Sequence, residues 1–191
     1  MSAPAGMTGA AFDRAADVRE RARRIRLLVC DVDGVLTDGK LHFHEHADGV
    51  REGKSFSILD GFGIKLLQDT GVAVAIITGR RSDVVARRAK EMGVRHIVQG
   101  AQDKKVAWNE LLGELGLAAE STAYIGDDWP DLPVIRACGL GIAVAGAPEP
   151  MRRHARYVTR ATGGNGAVRE ACELIMDAQG TLEARLAEYL Q

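Results

Sequence analysis

The stretch Ile25-Arg26-Leu27-Leu28-Val29-Cys30-Asp31-Val32-Asp33-Gly34-Val35-Leu36-Thr37-Asp38 is an apolar run of strand length that ends in carboxylates. Its apolar part does not alternate with polar residues. A strand of that kind is buried on both faces, which is the situation of a strand inside a parallel sheet. Similar short runs stand at 72–77, 96–98, 122–125 and 141–144. Segments with helical spacing separate them. Val84, Val85, Ala89 and Met92 form one stripe, and Ala107, Trp108, Leu111, Leu112 and Leu115 form another. Val168, Cys172, Ile175 and Met176 follow i, i+4, i+7, i+8 near the end of the chain. Strand and helix in alternation predict an α/β fold, a doubly wound parallel sheet.

One stretch breaks the rhythm. Between 38 and 60, Leu41 and Phe43 alternate with polar residues, Asp48-Gly49 offers a turn, and Phe56 and Ile58 alternate again. This predicts a β-hairpin inserted after the first strand, at 38–60. Before the first strand, 1–24 reads as a disordered arm (1–11) and a charged helix (12–24). The span 25–179 reads as a single domain, and 180–191 as a C-terminal tail.

With a formal charge of -1, the chain offers no basic excess for nucleic acid. The apolar runs at 72–77 and 140–147 are too short to span a bilayer. The three cysteines, Cys30, Cys138 and Cys172, are scattered and odd in number, which fits reduced core thiols. A cytoplasmic protein without membrane or nucleic-acid partners is expected.

Open parallel sheets bind ligands beyond the carboxyl ends of their strands. The first strand delivers Asp31 and Asp33 there, and the second delivers Thr78-Gly79-Arg80. The third is followed by Gln99-Gly100 and then Lys104, and the fourth by Gly126-Asp127-Asp128-Trp129-Pro130-Asp131. Such a set supports phosphoryl transfer through an aspartyl-phosphate. Asp31 and Asp33 leave an extended chain on the same side, and carboxylates so close call for a cation. Mg²⁺ suits, as a hard ion that takes carboxylate, water and phosphate oxygens. Asp31 is then the nucleophile and Asp33 the general acid and base. Thr78 and Lys104 stabilise the transferring oxygens, Asp127 completes the metal shell, and Gly34 lets the backbone turn sharply.

These residues resemble the motifs of the haloacid dehalogenase superfamily, DxDx[TV][LV] and GDxxxD. They stand here as DVDGVL (31–36) and GDDWPD (126–131), with Thr78 and Lys104 as the middle motifs. The resemblance implies a Rossmann-like sheet, with magnesium held by Asp31, the backbone carbonyl of Asp33, and Asp127. A closer resemblance runs from 25 to about 182. The segments DVDGVLTDG (31–39), DGFGIKLL (60–67), AIITGR (75–80), GDDWPDLPVI (126–135) and YVTRATGGNGAVREAC (157–172) are similar to the 3-deoxy-D-manno-octulosonate 8-phosphate phosphatase family. That cap-poor family carries only a hairpin between its first two motifs. Membership implies hydrolysis of this sugar phosphate in lipopolysaccharide biosynthesis. It also implies a homotetramer in which neighbouring hairpins and another subunit's C-terminal tail close each site. It further implies substrate contacts from Asp33, Ser57, Asp60, Gly61, Lys65, Arg80, Arg88 and Lys104. The chain departs from the family at Phe62, where Tyr is usual, and in a slightly longer loop at 45–53.

Arg88 interrupts the apolar stripe of its helix, so it either snorkels to solvent or reaches the cleft. His42, His44 and His46 share one strand face and read as the polar side of the hairpin or as part of a subunit interface. Gly163-Gly164-Asn165-Gly166 fits a phosphate loop or a hinge. Two other functions fit the same fold: a nonulosonate 9-phosphate phosphatase, and a catalytically idle oligomerisation module. The intact Asp31, Asp33, Lys104 and Asp127 weigh against idleness, because a structural domain gains nothing from repelling carboxylates. A phosphomutase needs a larger cap than this chain encodes.

Overall fold

A computed structural model describes residues 14–191 of the chain, so the arm expected at 1–11 lies outside the described residues. The charged helix is α1 (Arg14–Arg23), followed by β1 (Leu27–Cys30). β2 (His42–His46) and β3 (Gly49–Gly53) form an antiparallel hairpin. The alternating pattern then begins with α2 (Ile58–Asp69), β4 (Ala73–Thr78), α3 (Asp83–Glu91), β5 (His96–Gln99) and α4 (Lys104–Leu115). It continues with β6 (Thr122–Gly126), α5 (Leu132–Ile135), β7 (Leu140–Ala143) and α6 (Glu149–His154). The chain closes with β8 (Tyr157–Val158), α7 (Ala167–Ala178) and α8 (Leu182–Ala187).

The main sheet has six parallel strands in the order β5-β4-β1-β6-β7-β8. Its direction of growth reverses at β1, which sends one set of crossovers to each side. β1, β6 and β7 are buried along their whole lengths, as unalternating apolar runs require. α2 packs on α7 and α7 on α1, while α4 packs on α5. All three cysteines are buried and unpaired. Among the described residues, no helix is long and apolar enough to cross a membrane.

The structure corrects the second arm of the hairpin. β3 stops at Gly53, and Phe56 makes only an isolated bridge to Thr37. Ser57 then caps α2, its hydroxyl accepting from Asp60 N at 3.4 Å, so Ile58 and Asp60 are helical. β8, two residues pairing with Ile142 and Ala143, was not anticipated. The tail folds back over its own chain, where the Tyr189 ring meets Phe62 edge-on with centroids 5.7 Å apart.

Candidate functional site

Beyond β1 the chain turns tightly. Val32 O accepts from the backbone N–H groups of Val35, Leu36 and Thr37 at 3.2, 2.9 and 3.0 Å. Gly34 makes the turn at φ +85°, where an L side chain is strained. A Cβ there would lie 2.1 Å from Asp127 Oδ2, so the missing side chain is what brings the fourth strand's carboxylate against the first strand's loop. A second segment supports this loop from outside. Gly164 N donates to Val35 O at 2.8 Å, and a Cβ on Gly163 would stand 1.7 Å from Gly34 O. The glycines of 163–166 thus fit backbone to backbone against the loop after β1.

Lys104 owes its place to the start of α4. The Asp103 side chain caps that helix, accepting from Lys105 N and Val106 N at 2.9 and 3.1 Å. Lys104 then reaches inward, its Nζ 2.9 Å from Asp31 Oδ1 and 2.6 Å from Asp131 Oδ1. The Tyr124 hydroxyl, from the buried face of β6, donates to the same Asp131 oxygen at 2.7 Å. Asp131 Oδ2 accepts from the backbone N–H of Asp127 and Asp128 at 3.2 and 3.4 Å. Asp131 is therefore a hub that fixes Lys104 and the Asp127 turn at once.

These stations enclose a cleft of about 440 Å³ whose lining includes Asp31, Asp33, Thr78, Arg80, Lys104 and Asp127. Burial, then the charge of Asp131, pushes the Asp31 carboxyl up to about 7 against the pull of Lys104. The same two causes push Asp127 up to about 6. Lys104 is drawn down by burial, but Asp31 and Asp131 outweigh it and hold its ammonium above the usual value. Carboxyls this reluctant to ionise are the ones that gain most from a cation. Asp31, Asp127 and Asp131 each offer an oxygen within 4.8 Å of the others. The hard oxygen set fits Mg²⁺. Both oxygens of Asp131 already accept two donors each, so Asp31 and Asp127 are the carboxylates better able to hold such an ion directly.

Five residues expected near substrate stand outside this lining. Asp60 spends its carboxylate on the start of α7, accepting from Gly166 N at 3.2 Å and Arg169 N at 2.8 Å. Arg88 neither snorkels out nor enters the cleft with Asp31. Its Nη2 donates to Ser57 O at 3.4 Å, in space left open by Gly61, and Nη1 pairs with Glu91 at 3.3 Å. Lys65 is exposed on α2. His44 and His46 are exposed and His42 half-buried, and the histidines form no metal-holding cluster among the described residues.

Two residues that sequence reasoning missed sit at the mouth. Lys54, just past β3, pairs with Asp33 and, at 3.3 Å, with Glu52. Glu52 also takes Arg80 Nη2 at 2.5 Å. Nothing local to the hairpin could have shown these pairs, whose partners lie 21 and 28 residues away. Asp131, by contrast, stands in the GDDWPD motif and could have been taken from it.

Comparison with known proteins places the chain in a family. Residues 89–170 match the haloacid dehalogenase-like hydrolase family. The chain is 48% identical over 167 residues to a 3-deoxy-D-manno-octulosonate 8-phosphate phosphatase of Yersinia pestis, covering 87% of this chain and 88% of that one. A probable phosphatase of the yrbi family from Pseudomonas syringae superposes with a TM-score of 0.89 at 55% identity, covering 92% and 98% of the two chains. The 3-deoxy-D-manno-octulosonate 8-phosphate phosphatase of Moraxella catarrhalis, solved with a magnesium ion, a phosphate ion and a KDO molecule, superposes with a TM-score of 0.87. It is 45% identical, and the match covers 91% of this chain and 98% of that one. With strand-end carboxylates, lysine and hairpin all in place, the chain belongs to the 3-deoxy-D-manno-octulosonate 8-phosphate phosphatase family of the haloacid dehalogenase-like hydrolases.

Proposed function

We propose that this chain hydrolyses 3-deoxy-D-manno-octulosonate 8-phosphate, with Mg²⁺, through a phosphoryl group carried transiently on Asp31. The observation that carries the reading is the buried set of Asp31, Lys104 and Asp131 with Asp127 beside it, at the carboxyl ends of β1 and β6. Mg²⁺ held by Asp31, Asp127 and the Asp33 carbonyl would offset the negative charge of nucleophile and phosphate.

In the first half-reaction an Asp31 oxygen attacks phosphorus, the bond to the sugar oxygen breaks, and Asp33 gives that oxygen its proton. In the second, Asp33 takes a proton from water as the water attacks the acyl-phosphate, freeing Asp31. Lys104, held by two carboxylates, and the buried Thr78 hydroxyl stabilise the transferring oxygens. Arg80 faces the same cleft and, with Asp33 and Lys104, is assigned to substrate. Ser57, Gly61, Arg88 and Lys65, further along α2 and α3, are assigned to the far end of the sugar. Asp60 is assigned to holding α7. Release of the free sugar acid would place the enzyme in lipopolysaccharide biosynthesis.

The test is phosphate release from eight- and nine-carbon keto-acid sugar phosphates, with Mg²⁺ or EDTA. Wild type is expected to prefer the eight-carbon ester and to stop in EDTA. Asp31→Asn is expected to lose about 10³-fold or more, as losing a covalent nucleophile does. Equal turnover by that variant would end the aspartyl-phosphate mechanism, and no turnover by wild type would favour an idle module.

A further inference from the structure

The hairpin touches the catalytic loop through charges. Lys54 brings its ammonium to Asp33 Oδ1, and Glu52 backs the same ammonium at 3.3 Å. The Lys54 side chain is only 1% exposed, whereas Asp33 is 26% exposed. Arg80 completes the ring, 2.5 Å from Glu52 Oε2 and 3.8 Å from Asp33 Oδ2. The two Asp33 oxygens are therefore unlike. Oδ1 is held by a buried cation. Among the described residues, Oδ2 has no side-chain donor within hydrogen-bond distance, and it stays available to a reacting oxygen.

Lys54 does not line the cleft, so its charge is not laid out for substrate. Burying an ammonium costs desolvation, which is offset here by two carboxylates that lie nowhere near each other in sequence. Elsewhere the hairpin leaves large apolar side chains in the open, so shielding of this one lysine is not a by-product of general packing. A carboxylate at a wet cleft mouth rotates freely unless one oxygen is tied, and a proton donor must hold its free oxygen within hydrogen-bond reach of the leaving group.

We infer that Lys54 is a positioning residue for Asp33: it pins Oδ1 so that Oδ2 hands its proton to the sugar oxygen as the P–O bond breaks and that bond's electron pair moves to the oxygen. Glu52 keeps Lys54 in place. This rests on the general-acid role proposed for Asp33.

The experiment compares Lys54→Met, Lys54→Arg and Asp33→Asn on two substrates. One is 3-deoxy-D-manno-octulosonate 8-phosphate, whose alkoxide leaving group needs a proton. The other is p-nitrophenyl phosphate, whose phenolate leaves without one. Lys54→Met is expected to lose about 10-fold or more in kcat on the sugar phosphate, a part of the 10²–10⁴-fold that a general acid supplies. It is expected to lose several times less on the nitrophenyl ester, and Lys54→Arg to restore most of the difference. The ratio of the two losses is read on one sample, so it does not depend on the fraction folded. Equal losses on both substrates would mean a structural role only and would overturn the inference. A rise in KM for the sugar phosphate with unchanged kcat would overturn it in favour of a substrate contact. If Asp33→Asn shows no leaving-group dependence, the acid role of Asp33 itself falls. If Asp33→Asn shows it and Lys54→Met does not, only the inference falls.

Discussion

Gly34 sits where two demands meet. The chain must reverse after Asp33 at φ +85°, and Asp127 must bring its carboxylate within van der Waals contact of the turn. Alanine there violates both. The left-handed backbone costs about 1–2 kcal/mol for an L residue. The new methyl would lie 2.1 Å from Asp127 Oδ2, so the carboxylate must move off its position. Gly34→Ala should raise the Mg²⁺ concentration for half-maximal phosphate release by roughly 10-fold or more, in the range found when groups supporting metal ligands are removed. Excess Mg²⁺ should recover part of the rate. A magnesium titration superimposable on the wild type's would refute this account of Gly34. The places of Asp31, Asp33, Thr78, Lys104 and Asp127 at one edge of the sheet were legible in the sequence: Asp31 and Asp127 directly follow buried strands, Asp33 stands just beyond Asp31, Thr78 ends a strand and Lys104 opens a helix. Lys54 and the Tyr124 hydroxyl were not. Their roles come from partners that meet them only in the folded chain, at Asp33 and Asp131.

At the scale of elements, the support of the catalytic loop passes through the return segment between β8 and α7. Gly163 and Gly164 lie on the backbone of residues 34–38, and Glu170 of α7 ties the segment down. Its carboxylate accepts from the Tyr157 hydroxyl at 2.7 Å and from the N–H groups of Arg160 and Ala161 at 3.0 and 3.1 Å. Burial alone would push the Glu170 carboxyl up, but these donors and Arg160 together hold it below the usual carboxylate value. Its contribution is therefore present above the ordinary carboxylate range and is lost as pH falls through the lowered folded value. Glu170→Gln should lower Tm at neutral pH by about 3–6 °C, from ~1.5 kcal/mol of charge-assisted hydrogen bonding in a chain of this size. The gap from wild type should close in acid, and a gap that stays constant down to the acid transition would sink the assignment. The glycine run thus has a third role, a buttress, which neither a phosphate loop nor a hinge describes. The long parallel strands were readable because double burial leaves an unmixed apolar run. β8 is too short to leave one, and the start of α2 was hidden because Phe56 and Ile58 happen to continue the hairpin's alternation across the Ser57 cap. The hold of Asp60 on α7 had no local signal, because Gly166 and Arg169 lie more than a hundred residues away.

At the scale of the whole molecule, the hairpin keeps large apolar side chains exposed in the single chain. Its register pairs Phe43 with Glu52 and Glu45 with Val50, so Phe43 and Val50 share a face with the glutamate that reaches Arg80. Phe43 and Val50 are each 65% exposed, and Ile58 and Leu59 at the start of α2 are exposed as well. Exposed apolar groups on one face of the hairpin fit an interface better than a solvated surface. The homotetramer that the sequence resemblance implies would supply the occupant, a second copy of this chain set against the hairpin. Phe43→Asp would place a charge in that contact without touching the sheet. The wild type should therefore run as a multi-subunit species by light scattering after gel filtration, and Phe43→Asp should run at lower mass with its body still folded. Because Glu52 lies on β3 and Lys54 directly follows it, the smaller species should also lose activity on the sugar phosphate. A wild type of single-chain mass, or a Phe43→Asp variant that keeps the full assembly, would show that the hairpin closes its site alone.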